Sequence, residues 1–514
     1  MMPPPWLLTL PVVLPLTFGI LTLLFPSDWL ARAGRHGALL CAATVVPCTR
    51  WIWQAGSLHQ SLGGWVAPLG IDLYLDGMAC LFLIFGALMG LGISFYAAAY
   101  FPPSPDGART RNDLFWPLWF VTWGGINSLF LTLDLFNIYV TLELISVAGV
   151  GLILIAGTPG ATRAALQYQM QALIAGLVYL LGVGLIYNVV GTLDLQLMGA
   201  ELQPGPMKNM GMALMTSGIL IKAALFPMHF WLPRAHADAP APVSAVLSGL
   251  VVTVAFVILT RIWFAGLHRL APFLLPRLLG GLGATGILWG GILALRQTRL
   301  KRVLAYSTVS QIGYLFLVFA LTFHDAPGQG LVWTGAVYLA ISHGLAKGAA
   351  FMAAGYLQKA EGSDSLQHLR GCARKHPVAV MVLAVASINL MGLPPSTGFI
   401  GKWMMLKASF YTQQWMLAVV MLGGGLLAAA YLFRVFEILL QPAETEFDKT
   451  QSDAPQTEKK PTALGYSPRG MLIPAMLLAL ATLVPVLFIT APEALLRIGA
   501  PVPFTDFISP GGAP

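Results

Sequence analysis

Apolar residues in this chain come in runs long enough to cross a lipid bilayer. Between Asp113 and Asp134, and again between Arg302 and His324, about twenty residues pass without a formal charge, the length a helix needs to span a hydrocarbon core of about 30 Å. Windows of that size predict fourteen helices, near 6–25, 37–54, 77–101, 114–133, 135–157, 164–190, 209–230, 242–265, 271–296, 302–323, 331–357, 377–411, 415–441 and 470–490. The twelfth is too long for one straight span, and Gly392-Leu-Pro394-Pro395 divides it. The seventh is interrupted at Pro227 and Pro233. A break at membrane depth is tolerated only where the freed backbone groups meet protein or water. The expected fold is therefore an all-α polytopic membrane protein with broken helices seven and twelve.

Composition agrees. Of 514 residues, 57% are hydrophobic and 10% charged, against roughly 25% charged in an average soluble domain. The charge that exists is asymmetric. Loops after odd-numbered spans carry Arg32, Arg35, Arg109, Arg111, Arg163, Arg234, Arg296, Arg299, Lys301, Arg302, Lys359, Arg370, Arg374, Lys375, Lys449, Lys459, Lys460 and Arg469, whereas the even loops hold little beyond Lys208 and Arg269. The positive-inside rule then puts the odd loops in the cytoplasm and both termini outside. The net charge of +8 is mostly this asymmetry, and a nucleic-acid partner is not expected. MMPPPWLLTL lacks the basic start of a cleavable signal peptide, so the first helix is expected to stay. Residues 442–469 read as a polar cytoplasmic linker.

Chemistry outside the bilayer is scarce. Cys41, Cys48, Cys80 and Cys372 show no metal-ligand spacing, and no metal or cofactor is expected. Gly281-Leu-Gly283-Ala-Thr-Gly286 matches a dinucleotide fingerprint by letter, but it lies within an apolar span with no preceding strand. Close packing of helices is the better reading.

The informative residues are the ionisable ones inside the spans: Glu143, Lys222, His229, His343, Lys347 and Lys402. A lysine at a helix centre costs about 2.5–3.5 kcal/mol on insertion scales, so such groups must pair, neutralise or face water. Arg50, Arg261, Asp134 and Arg434 lie nearer span ends and are expected to snorkel. Glu143 in DLFNIYVTLELISV calls for a cation, and Lys222 in IKAALFP supplies one. The pair reads either as a switchable proton relay or as a fixed ion pair between helices five and seven. His343 and Lys347, at i and i+4, share a helix face, and histidine titrates near neutral pH. The alternative there is a histidine bonded to a carbonyl and a lysine aimed at a headgroup. His236 lies near the membrane edge, where a loop or capping role is the alternative to proton transfer.

Lys402 follows its helix break and Lys222 precedes its own. That mirror arrangement suggests inverted repeats, helices 4–8 and 9–13, the alternative being a pair of proline kinks with lysines directed at interfacial water. The expected units are residues 1–113, a first repeat over 114–265, a second over 271–441, the linker 442–469, and a last helix and tail over 470–514.

Five stretches, DLFNIYVTLEL (134–144), LIKAALFPMHFWLPRAHADAPAPVSAVLSG (220–249), LKRVLAYSTVSQIGYL (300–315), SHGLAKGAAF (342–351) and GLPPSTGFIGKW (392–403), resemble the antiporter-like membrane subunits. That family holds the A and D subunits of Mrp-type Na+/H+ antiporters, the L, M and N subunits of NADH–quinone oxidoreductase, and hydrogenase relatives. GGWVAPLGIDLYLDGMA (63–79) looks most like the Mrp D-type branch. The resemblance implies fourteen core helices and a central proton axis, with Glu143 as the helix-five acid, Lys222 as the helix-seven lysine, His343 and Lys347 in helix eleven, and Lys402 in helix twelve. Family members commonly carry a lysine or histidine in helix eight, where this chain has Thr253 and Ser248. Gln311 stands where a histidine is common, and Arg234 where an acidic or neutral residue is.

The expected function is proton translocation by a membrane subunit of a multisubunit Mrp-type Na+/H+ antiporter, in a cell membrane beside other hydrophobic subunits. The alternatives are a proton-pumping subunit of a redox-driven complex, and a structural subunit without conduction.

Overall fold

The computed structural model describes residues 3–4, 6–104, 108–201, 204–265, 274–322, 328–442, 467–488 and 490–502. The chain opens with α1 (Leu10–Leu21), α2 (Ser27–Ala43) and α3 (Val45–Ala55). A small antiparallel hairpin follows, β1 (Leu58–Ser61) and β2 (Asp72–Leu75), with Leu58 opposite Leu75 and Ser61 opposite Asp72. Next come α4 (Gly77–Tyr100), α5 (Phe115–Leu131), α6 (Leu135–Leu154), α7 (Pro159–Val190), the short α8 (Leu195–Glu201), α9 (Pro206–Lys222) and α10 (Leu232–Asp238). α11 (Ala241–Val246) passes through a π-helical turn at Leu247–Val251 into α12 (Val252–Phe264). The second half contains α13 (Leu274–Leu295), α14 (Leu300–Leu321), α15 (Gln329–Glu361), α16 (Cys372–Lys375), α17 (Pro377–Met391), α18 (Thr397–Tyr411) and α19 (Trp415–Leu440), and the chain closes with α20 (Pro468–Ala481), α21 (Val484–Leu487) and α22 (Thr490–Arg497).

Local chemistry sets these boundaries. Asp76 and Asp134 accept from the backbone N–H groups of Ala79 and Asn137, at 2.7 and 2.6 Å, and so cap α4 and α6. α7 starts at Thr158-Pro159 and stops at Gly191 in the left-handed region, proline first and glycine last. Among the described residues, ten helices are long and apolar enough to cross a membrane. Three of them, the continuous Ala241–Phe264 helix, α14 and α15, have 94% of their apolar window buried inside the protein, whereas α7 and α19 have 33%. The molecule thus has a protein-enclosed centre and a periphery suited to lipid, and the titratable residues belong to or abut that centre.

Several expected boundaries move. The second span is two helices, α2 and α3, and starts at Ser27 rather than 37. The seventh span does not run to residue 230. α9 ends at Lys222, and Ala224 takes a positive φ of 53°, so the interruption begins before Pro227. The dinucleotide-like glycines sit inside α13, with Gly283 packed on Gly313 of α14, as expected for close helix contact. Of the expected linker, residues 443–466 lie outside the described residues, as do Arg269, Lys449, Lys459 and Lys460, while Pro468 already begins α20.

Arg261, expected at the interface, is instead buried. Its guanidinium meets both carboxylate oxygens of Asp76, at 2.9 and 3.1 Å, and donates to the carbonyl of Phe130 at 3.0 Å. Lys301, counted with a cytoplasmic loop, is also buried and donates to the Ala239 carbonyl. His236, expected at the edge, is fully buried and stacked on Phe351.

Candidate functional site: a row of buried lysines

The first cluster joins α6 and α9. Lys222 occupies the last turn of α9, where unsatisfied carbonyls favour a cation. Its Nζ donates to Glu143 Oε1 at 2.9 Å and to Ser146 Oγ at 2.6 Å, and Ser146 in turn donates to the Leu142 carbonyl at 2.7 Å. Glu143 and Ser146 are three residues apart and so present one face of α6. Space for the carboxylate comes from Gly176 on α7, where a Cβ would stand 2.2 Å from Glu143 Oε1. Beyond Lys222, the indole N–H of Trp231 donates to the Ile221 carbonyl at 3.1 Å, which satisfies part of the broken helix end. Lys222 has a side-chain exposure of 7%, while Glu143 retains 21%. The acid therefore has access to the outside of the pair that the lysine lacks.

The second cluster centres on Lys347, in the middle of α15. It has no carboxylate partner among the described residues. Its Nζ donates to the Leu304 carbonyl at 2.9 Å and to Ser307 Oγ at 2.7 Å, both on α14. Ser307 also accepts from the Tyr431 hydroxyl of α19 at 2.8 Å. The carbonyl of Leu304 accepts from Thr308 Oγ1 at 3.1 Å, and Thr308 exchanges a 2.8 Å hydrogen bond with Ser248. Ser248 lies in the π-helical turn, a backbone form that recurs at functional sites. Two hydroxyls, Ser248 and Thr308, therefore reach from the α11–α12 helix to the Leu304 carbonyl that also holds the ammonium of α15.

The third position is Lys402, in α18. The break at Gly392–Pro395 ends α17 and leaves its last carbonyls without helical partners. Lys402 Nζ donates to Leu390 O at 2.8 Å and to Met391 O at 3.4 Å, and it lies 4.4 Å from the ring centroid of Tyr314, within cation–π range. Asn389 ties the two half-helices together: its Nδ2 donates to Ser342 O of α15, and its Oδ1 accepts from Gly398 N, both at 2.9 Å. Lys347 and Lys402 are held by neutral oxygens and an aromatic face. Such partners solvate an ammonium without setting a counter-charge beside it.

The remaining expected residues divide. His343 is buried on the Lys347 face of α15, but Lys347 turns to α14 and the two share no hydrogen bond. The ring nitrogens of His343 have no well-formed partner and face the backbone of Ser248. His229 stacks between Phe226 and Phe230 and is not bonded to Lys222. Of the two helix-eight candidates, Ser248 joins the second cluster. Thr253 is buried with no hydrogen-bond partner among the described residues and joins nothing.

The family model described as "NADH:quinone oxidoreductase/Mrp antiporter, TM" matches residues 132–428, more than half of the chain. The chain belongs to that family. Among relatives of this NADH:quinone oxidoreductase/Mrp antiporter member, the N subunit of the NADH-quinone oxidoreductase of Desulforudis audaxviator is 34% identical over 407 residues, covering 78% of this chain and 77% of the relative. The D subunit of the Na(+)/H(+) antiporter of Alkalihalophilus pseudofirmus is 28% identical over 435 residues, covering 84% and 86%. In the solved Mrp complex from Dietzia sp., one chain superposes with a TM-score of 0.84 at 22% identity, covering 97% of this chain and 98% of that one. The last comparison establishes the fold.

All three clusters of this family member lie within or just beyond the matched segment, and several of their members carry no distinctive signal in the sequence. Ser146, Ser307, Thr308 and Tyr431 are ordinary hydroxyl residues, and the only hint is the spacing of Ser146 from a buried charge. Ser307 offers a direct check. Ser307→Ala leaves Lys347 one acceptor short, and a hydrogen bond to a charged group contributes about 1.5–3 kcal/mol. Proton-coupled transport in inverted membrane vesicles is expected to fall about tenfold or more with chain abundance unchanged. An unaltered rate would remove Ser307 from the site.

Proposed function

We propose that this chain is the proton-translocating subunit of a multisubunit Mrp-type Na+/H+ antiporter in the cell membrane. It would cross the bilayer fourteen times, with inverted repeats over 114–265 and 271–441 between the N-terminal helices of 1–113 and the last helix of 470–514, and with both termini outside. The observation that carries the reading is the Glu143–Lys222 pair at 2.9 Å, joined in the second half by a buried, carbonyl-held Lys347 on α15. Protons would reach Glu143–Lys222 in the first half. His343 and Lys347 would pass them into the second, with Ser248 and Thr308 lining the way, and Lys402 would exchange them at the far end. The likeness to the D subunit of a Na(+)/H(+) antiporter over 84% of the chain supports the Mrp assignment.

The 34% identity to the N subunit of an NADH-quinone oxidoreductase favours a second reading, a proton-pumping subunit of a redox-driven complex. Expressing the chain with its neighbouring genes in a Na+-sensitive host separates the two. Restored growth in Na+ that disappears with Lys222→Arg at unchanged membrane abundance supports the antiporter. Absence of rescue, together with flavin or iron–sulfur subunits in the purified assembly, would replace it with the redox complex.

A further inference from the structure

A groove on the outside of the molecule stands apart from the lysine row. α2 and α3 meet at Thr44, and Pro47, just inside α3, has no N–H to give the carbonyl of Ala43. The helix line bends there, and a cavity of about 510 Å³ opens between α3 and α4. Its walls are apolar and include Val46, Ile84, Leu88 and Leu91, with Arg50 and Trp53 at one end. Thr49 is the other polar group on the wall, and its hydroxyl is turned into the helix, onto the Val45 carbonyl at 2.9 Å.

Arg50 is exposed and makes no ion pair or hydrogen bond among the described residues. Other arginines of the apolar segments are occupied: Arg261 holds Asp76, and Arg434 donates to backbone carbonyls. Trp53, 50% exposed, lies one turn further along α3, near the end of the helix that leads into the β1–β2 hairpin. A tryptophan and an arginine at that level mark a membrane–water boundary. A long apolar slot with a free guanidinium and an indole at its rim is complementary to one amphiphile, a phospholipid with its acyl chain in the slot and its phosphate on the arginine. Guanidinium and phosphate pair through two parallel hydrogen bonds.

We propose that this groove is a phospholipid site of the leaflet on the hairpin side, with Arg50 as the phosphate ligand. The site is independent of the transport reading. Native mass spectrometry of the full chain, extracted with its accompanying subunits and titrated with dioleoyl phosphatidylglycerol, tests it. Wild type is expected to retain one phospholipid, Arg50→Gln to bind it about tenfold more weakly or worse, and Ala87→Phe, which fills the slot, to exclude it with Arg50 in place. Added lipid should raise the unfolding temperature of wild type and not of Arg50→Gln. Because Arg50 is exposed and unpaired, its variant keeps the test valid even if Ala87→Phe does not fold. Equal binding by wild type and Arg50→Gln, equal binding of a phosphate-free diacylglycerol, or a helix of another subunit cross-linked into the slot would each overturn the proposal.

Discussion

Substituting Lys222 with arginine is expected to abolish proton-coupled transport while leaving the protein folded. Arginine keeps the positive charge opposite Glu143 and can pair with a carboxylate through two hydrogen bonds, but it is not deprotonated in proteins. A fixed ion pair between α6 and α9 needs only the charge; a relay needs the charge to come and go. Transport in inverted vesicles should fall to the level of Lys222→Ala, with membrane abundance near wild type for arginine. Alanine is expected to fold less well, because Glu143 would lose its cation. If Lys222→Arg transported at the wild-type rate, the pair would be a structural clasp and the proposed route would need another proton carrier.

Replacing Arg261 with methionine is expected to destabilise the fold by about 3–5 kcal/mol, because Asp76 would be left charged and buried. The pair has side-chain exposures of 5% and 6% and joins residues 185 positions apart, so it fastens the start of α4 to the end of α12. Asp76→Ser combined with Arg261→Met should regain most of the loss. Serine still accepts at the helix start, and no lone charge remains. Thermal unfolding of the solubilised protein reads both effects. An Arg261→Met protein as stable as wild type would show that Asp76 finds another partner or takes up a proton, and that the contact holds nothing together.

The parts of this molecule that can be read from sequence are those for which the bilayer leaves few choices. Hydrocarbon thickness forces long apolar runs, so α4, α5, α6, α13 and α14 lie close to their expected limits. A lysine in such a run is costly enough to be conspicuous, and Glu143, Lys222, Lys347 and Lys402 stand out on that ground. What stays hidden depends on pairing across sequence distance. Asp76 looks like a loop residue and Arg261 like a helix end until folding brings them together. Lys301 sits in a basic loop by pattern, yet the chain folds Ala239 over it. Serine and threonine are too common in membrane helices for Ser307 or Thr308 to be singled out, whereas Thr253, conspicuous by its position, has no hydrogen-bond partner among the described residues.

The hydrogen-bonding part of the dock for Lys402 is made of main chain, with the Tyr314 ring beside it. Its ammonium rests on carbonyls that any residue at 390 or 391 would present, so substitutions there leave its chemical surroundings alone. The dependence passes instead to Gly392, which takes a φ of +80° and has Lys402 Cδ 2.7 Å from where a Cβ would be. A side chain at 392 would meet both a left-handed backbone and the stem of the lysine that the carbonyls hold.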